Sequence, residues 1–384
     1  MRNFILLYLP PPTPYFLKRI VCTVTNDLSY DQRMQRICSS LANNGFEVLL
    51  VGRKRPNSVA LTQMPFEQKR LYCFFDKGFA FYAEYNLRLF FFLLFTRAAI
   101  LCAIDLDTIL PVYFSSVLRK RQRVYDAHEL FTEQKEIVTR PRVQKIWLAI
   151  EKFAVPRFKH GYTVNQFIVD ELHRRYGVAY GMVRNLPVTY GDNSPGDTNL
   201  QLPAIPWIIY QGAVNEGRSF ETFIPAMQWV NAPLLIYGDG NFFEQTRQLI
   251  HQYKLENKVL LKGYTKPALL KQITPHASIA VTVFEQTGLN QYYSLSNRFF
   301  DYIMSCVPQV CVNYPEYQAI NDQHGIALMI DDTKAETIAA ALNKLLEDTV
   351  LYRTIKNNCL KARTLFNWER EEQTLLRFYR ELAK

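Results

Sequence analysis

The strongest constraint on this chain is a recurring pattern: short apolar runs of strand length, each leading through a polar loop into a helix-periodic stretch. Residues 18–26 (KRIVCTVTN) and 46–52 (FEVLLVG) are two such runs. Between them, residues 32–44 place Met34, Ile37, Cys38 and Leu41 on one helical face, and Gly45 supplies a stop. A continuous apolar run without polar alternation is a strand buried on both faces. Strand, helix and strand in this order give a parallel pair with a right-handed crossover, the unit of a doubly wound sheet. The pattern returns at 124–130 and 160–165, then gives way over residues 189–206 to TYGDNSPGDTNLQLPAIP, a linker by its chemistry. It restarts at 207–212, 233–238, 258–263, 278–284 and 309–313. The expected fold class is therefore α/β, with two doubly wound, Rossmann-like domains facing a cleft. The expected boundaries are 19–188 and 207–365, with an extension at 1–18 and a terminal helix at 366–384.

Bulk composition narrows the function. A chain of 384 residues, 48% hydrophobic and 21% charged, is globular and long enough for two domains. The net charge of +10 suits polyanionic substrates such as sugar nucleotides, an anionic membrane surface, or nucleic acid. Nucleic acid is set aside because the chain has no zinc-ligand spacing, RNP-like stretch or basic tail. The seven cysteines form no CxxC pair, which fits a reduced cytoplasmic setting. The first eighteen residues are apolar but broken by a proline-rich turn, and they are too short to span a bilayer. Residues 85–104 are the most apolar region, interrupted by Arg88 and Arg97. Two readings stand for it: a buried helix, or a partly exposed one that dips into lipid headgroups with help from Arg88, Arg97 and the basic run 119–123.

The chemistry-bearing residues gather at the expected strand ends. The stretch 285–308 (EQTGLNQYYSLSNRFFDYIMSCVP) leaves a buried strand through a polar loop, with Asn297 as the expected cap of a helix from Arg298. Arg298 and Asp301 are three apart and share a helical face. A helix start carrying an arginine binds anions, and a carboxylate one turn on suits neighbouring hydroxyls such as those of ribose. Arg218 lies in the loop after the first strand of the second half, where Gly212 and Gly217 would let backbone approach a phosphate. Gly240 closes a Gly-Asp-Gly turn after the next strand. Asp126 and His128 are two apart at the mouth of the first sheet, positioned to face the same way. No GxGxxG turn is present, which argues against an oxidoreductase.

Taken together, YQGAVNEGRSFETFIPAM, LLIYGDG, KVLLKGY, TGLNQYYSLSNRFFDYIMSCVPQV, TNDLSYDQRMQRI, EVLLVGR, DLDTILP and VYDAHELF resemble the GT-B retaining glycosyltransferases of family 4 (the glycosyl-transferase group 1 family). The resemblance covers nearly the whole chain. It implies that Arg218 and Arg298 reach the donor diphosphate, with Gly212, Gly240 and Asn297 in the same donor site. Asp301 would hold the ribose, seven residues before Pro308. Glu285 would approach the donor sugar, and His128 would face that sugar from the acceptor domain. Ala213 stands where the family carries a further arginine, and Glu285 and Asp301 are sixteen apart, as in the branch with an inserted P/S-N-K/R segment. The resemblance further implies a nucleoside diphosphate sugar as donor, a carbohydrate or lipid-linked acceptor, and a terminal helix crossing back to the first domain. It implies no metal and no other cofactor, in keeping with the lack of a DxD motif in a convincing loop. Two other classes are compatible with the sequence: a GT-B-fold epimerase or phosphorylase, and a non-catalytic scaffold at the membrane surface.

Overall fold

The computed structural model describes residues 18–29, 31–189, 202–286 and 288–384. Residues 1–17 of the expected extension and 190–201 of the expected linker lie outside the described residues. The chain divides into two compact units. The first holds the described residues through Asp126, then Arg157–His160 and Leu376–Lys384; the second holds Ala127–Pro156 and the described part of Gly161–Leu375.

Thirteen strands are described: β1 (Arg19–Thr23), β2 (Glu47–Lys54), β3 (Glu67–Tyr72), β4 (Ile100–Ile104), β5 (Gln122–Ala127), β6 (His160–Thr163), β7 (Gly181–Met182), β8 (Ile208–Gln211), β9 (Leu234–Tyr237), β10 (Val259–Gly263), β11 (Ile279–Thr282), β12 (Gln309–Val312) and β13 (Ala327–Ile330). They form a seven-stranded sheet of order β3-β2-β1-β4-β5-β6-β7 and a six-stranded sheet of order β10-β9-β8-β11-β12-β13. In both, the first strand sits centrally and the order reverses beside it. Such a reversal is the switch point at which ligands bind in doubly wound folds. In the first sheet Ile20 pairs with Val48 on one side and Ile100 on the other. In the second, Ile208 pairs with Leu234 and Ile279. All six of these side chains are buried, as parallel sheets covered on both faces require. This is an α/β architecture of two parallel, Rossmann-like sheets.

The helix Gln32–Asn43 forms as its periodicity demands. Asp31 caps it by accepting a hydrogen bond from Met34 N at 2.9 Å, and Met34, Ile37, Cys38 and Leu41 are buried. Two features departed from the apolar pattern. The edge strand β3 reads Glu67-Gln-Lys-Arg-Leu-Tyr72, polar because an edge must resist pairing with other chains. The apolar region 85–104 resolves into the end of a helix, Gly78–Phe95, followed by strand β4. Among the described residues no helix is long and apolar enough to cross a membrane. All seven cysteines are free thiols.

The last helix, Trp368–Leu382, is shared between the units' residue sets. In the second unit, half-buried Arg184 pairs with buried Glu371, Arg184 Nη2 donating to Glu371 Oε2 at 2.8 Å. In the first, Tyr379 lies edge-on to Phe46, their ring centroids 6.4 Å apart, and Arg380 donates to Asn44 Oδ1.

Asp126, expected at the mouth of the first sheet with His128, is fully buried in the first unit. It accepts a hydrogen bond from Arg33 at 3.0 Å, and Arg33 is itself buried. The pair serves the fold, since removing one partner strands a buried charge. Asp126→Ala is expected to lower the unfolding free energy by about 3–5 kcal/mol, measured by urea denaturation. A loss below about 1 kcal/mol would show that the pair is dispensable.

Candidate functional site

The site is built at the carboxyl ends of β8 and β11, within the second unit. Strand β8 ends in Gln211, and Gly212 follows at φ 124°, a conformation open to glycine. The next loop packs directly on this turn: a side chain at Gly238 would meet Gly212 O at 1.8 Å. Gly240 likewise lies on the Val214 carbonyl and the Asn215 side chain, where a Cβ would approach within 2.1 Å. Gly240 thus compacts the two loops that carry the site. Glu285 N donates to Gly217 O at 3.1 Å, tying the loop after β11 to the loop after β8.

Two guanidinium groups occupy this corner. Arg298 is buried, with Cζ 4.3 Å from the Tyr210 ring centroid and 4.8 Å from that of Phe284. Arg218 places its Cζ 4.6 Å from the same Phe284 centroid. Phe284 is fully buried and held by Tyr314, whose hydroxyl donates to Phe284 O at 2.5 Å. Cation–π contact steadies both arginines but does not neutralise them. Arg298 Nε reaches Ser296 Oγ at 3.3 Å, while its buried Nη1 finds no protein acceptor. Among the described residues neither arginine forms an ion pair with a carboxylate. Burial, and then the Arg298 charge, hold Arg218 below the ordinary arginine value. Two uncompensated cations on one ring, Arg298 buried and Arg218 half-buried, are costly unless an anion joins them. Ala213, exposed nearby, supplies no charge, and the Arg298 Cζ lies 4.0 Å from the Cβ position of Gly212.

Asp301 sits one turn after Arg298 in the helix Asn297–Met304, its Oδ2 accepting from Gln211 Nε2 at 3.1 Å. Gln211 is a hub. Its Oε1 accepts from Thr274 Oγ1 at 2.6 Å, and its backbone N donates to the Tyr302 hydroxyl at 3.0 Å. The carboxylate is thereby oriented by the last residue of β8. Asn297, expected to cap this helix, is its first residue; Ser296 holds the extended cap position, without a side-chain cap bond. The Asn297 side chain is exposed and accepts from Asn185 Nδ2 at 2.8 Å, which explains the shift.

Glu285 lies just beyond Phe284, half-buried. Burial, then the neighbouring Glu221 carboxylate, raise its pKa above the ordinary range, and Lys135 opposes them. Lys135 in turn bonds Glu216 Oε1 at 2.8 Å. His128 follows β5 and is partly buried. Its neighbour Glu129 accepts from Asn290 Nδ2 at 2.9 Å, and Asn290 Oδ1 accepts from Leu130 N at 3.1 Å. These bonds join the His128 loop to the loop carrying Glu285. Sequence reasoning missed Gln211, Glu221, Lys135 and the Glu129–Asn290 link. Only Gln211 left a signal, as the one polar residue in an apolar strand. Among the described residues no group of three or more His, Cys, Asp or Glu is gathered to hold a metal ion.

Residues 206–362 match the model of the glycosyl transferases group 1 family. No curated protein sequence matches the chain. The fold is similar to sucrose-phosphate synthase from Thermosynechococcus elongatus, with a TM-score of 0.75 at 16% identity over 95% of this chain and 99% of that one. It is also similar to HepE from Anabaena in complex with UDP-glucose, with a TM-score of 0.74 at 12% identity over 95% and 100%. A glycosyltransferase from Rickettsia africae gives 0.72 at 12% identity over 96% and 100%.

The isolated charge of Arg298 generates a test that needs no substrate. Arg298→Met is expected to leave the unfolding free energy unchanged or to raise it by about 1–4 kcal/mol. The same variant should lose the rise in Tm that inorganic pyrophosphate gives the wild-type chain. Marked destabilisation, with the pyrophosphate response retained, would contradict the site.

Proposed function

We propose, from the match of residues 206–362 to the glycosyl transferases group 1 model, that the chain transfers a hexosyl unit from a nucleoside diphosphate sugar to an acceptor hydroxyl with retained anomeric configuration. The observation that carries this reading is the Arg218–Arg298 pair on the face of Phe284, without a carboxylate partner among the described residues. A diphosphate supplies the charge this corner lacks. When the glycosyl–oxygen bond breaks, its electrons pass to the diphosphate and the sugar ring becomes positive. Preorganised cations at the departing oxygen lower that barrier most, because they need no reorganisation during reaction. The acceptor hydroxyl adds on the face the diphosphate leaves, and its proton passes to a phosphate oxygen of the leaving group. Nucleoside diphosphate and glycoside are the products.

The other residues position the donor. Asp301, oriented by Gln211, accepts from the ribose hydroxyls. Glu285 carries negative charge near the ring, and His128 hydrogen-bonds the sugar. The two arginines take the part a metal plays elsewhere, so the reaction runs without one. The structural neighbour bound to UDP-glucose supports a nucleotide sugar as donor. The acceptor is a carbohydrate or a lipid-linked sugar. We place the reaction at the cytoplasmic face of a membrane, in surface polysaccharide or glycolipid assembly, in keeping with the net charge of +10.

The reading is tested by offering a panel of sugar nucleotides and measuring nucleoside diphosphate release and the anomer formed. Release from none of them would refute it. With the accepted donor, Arg218→Ala and Arg298→Ala should each reduce turnover at least tenfold, about 1.4 kcal/mol of barrier. Asp301→Ala should abolish nucleoside diphosphate binding in calorimetry. A pH dependence follows from Glu285: it acts as a carboxylate only above its raised pKa, so activity falls on the acid side earlier than an ordinary glutamate would allow. Glu221→Gln removes a repelling charge, lowers that pKa and should shift the acid limb of kcat/KM to lower pH. An unmoved limb would show that Glu285 does not set it.

A further inference from the structure

The helix Gly78–Phe95 in the first unit carries two apolar stripes where a surface helix ordinarily carries one. Phe81, Tyr85, Leu89 and Leu93, spaced by four, are buried. Phe79, Leu87, Phe91 and Phe95 lie on the opposite side and face solvent, Phe79 and Phe95 being 78% and 82% exposed. With eighteen residues the stripe is about 27 Å long. Exposed phenylalanines at this spacing are not incidental, because scattered single residues are the norm on soluble surfaces.

Both ends of the stripe are built. At its start, Phe74 and Phe75 are exposed, and the loop bearing them is clamped by Glu84. That carboxylate accepts from Phe74 N at 2.9 Å and Phe75 N at 3.0 Å, and from Arg88 Nε at 2.8 Å. At its far end, Phe95 and Leu118 share a surface depression of about 670 Å³ with Arg97, Arg119, Lys120 and Arg121. No acidic residue lines it. Arg121 is fixed by donating to Leu93 O at 2.8 Å, and burial, then Arg119, hold its pKa below the ordinary arginine value.

We propose that this face seats the chain on the anionic headgroup surface of a lipid bilayer, with the phenylalanine stripe lying in the headgroup–acyl boundary and the basic depression engaging lipid phosphates. An apolar helix face rimmed by cations, without a helix able to cross, is the pattern of an interfacial element. The charge argues for lipid over a second copy of the chain: four cations with no acidic lining complement phosphate headgroups, and the same face of a second copy carries the same cationic depression. The proposal rests on the membrane setting proposed above and assigns it to a surface. It does not depend on the donor site.

Flotation of the full chain with vesicles tests it. Wild type is expected to float with phosphatidylcholine vesicles containing phosphatidylglycerol, to remain below with pure phosphatidylcholine, and to be released by salt. Phe91→Ser with Phe95→Ser, and separately Arg97→Glu with Lys120→Glu, should each weaken partitioning at least tenfold. Nucleoside diphosphate release in solution should stay at the wild-type rate in both. Wild type that does not float, or either pair of variants floating as wild type does, overturns the assignment. So does a wild-type dimer in sedimentation that Phe91→Ser and Phe95→Ser convert to monomer, because a second copy would then cover the face. Loss of flotation with release intact supports it, and absent release in wild type would bear on the donor site alone.

Discussion

Two arginines share one aromatic ring. Arg218 and Arg298 approach the face of Phe284 without a carboxylate to balance them, and the rest of the second unit is arranged around holding them there. Ion-pairing either one to a protein carboxylate would be easier for stability. The chain instead uses rings: Tyr210 beneath Arg298, Phe284 beneath both, and Tyr314 and Tyr317 behind Phe284. Rings restrict where a guanidinium can point while leaving its charge available. Positive charge kept available in a partly dry corner is what a departing diphosphate needs.

The switch-point topology makes this arrangement possible. Strands β8 and β11 are neighbours in the sheet but distant in sequence, so their following loops diverge from one corner. Gly212 and Gly238 let the loops after β8 and β9 touch backbone to backbone. Gln211 then links three elements by three hydrogen bonds, orienting Asp301. The two candidate ligand groups on the helix Asn297–Met304, Arg298 and Asp301, are thus fixed by different means, one by rings and one by a buried amide.

Much of this was legible from local pattern. The apolar runs located strands β1, β2, β5 and β8–β12, because burial on both faces leaves an unmistakable composition. Arg218, Arg298 and Asp301 stood out from their places after strands. What could not be read was set by contacts distant in sequence. The burial of Arg298 against Tyr210 and Phe284, from two other segments, left no local signal. Asp126 looked available for chemistry until Arg33, ninety-three positions away, was seen to occupy it. Edge strand β3 was invisible because edges are polar. Asn297 and Ser296 are equally good caps by type, and Asn185 decides between them.

The central claim is that the donor site recognises a diphosphate through two protein cations. Calorimetric titration of the unaltered chain with a nucleoside, its monophosphate and its diphosphate isolates that contribution. The account predicts that affinity climbs with each phosphate and that the diphosphate binds at least about 100-fold tighter than the nucleoside, roughly 2.7 kcal/mol. Equal affinities along the series would contradict it.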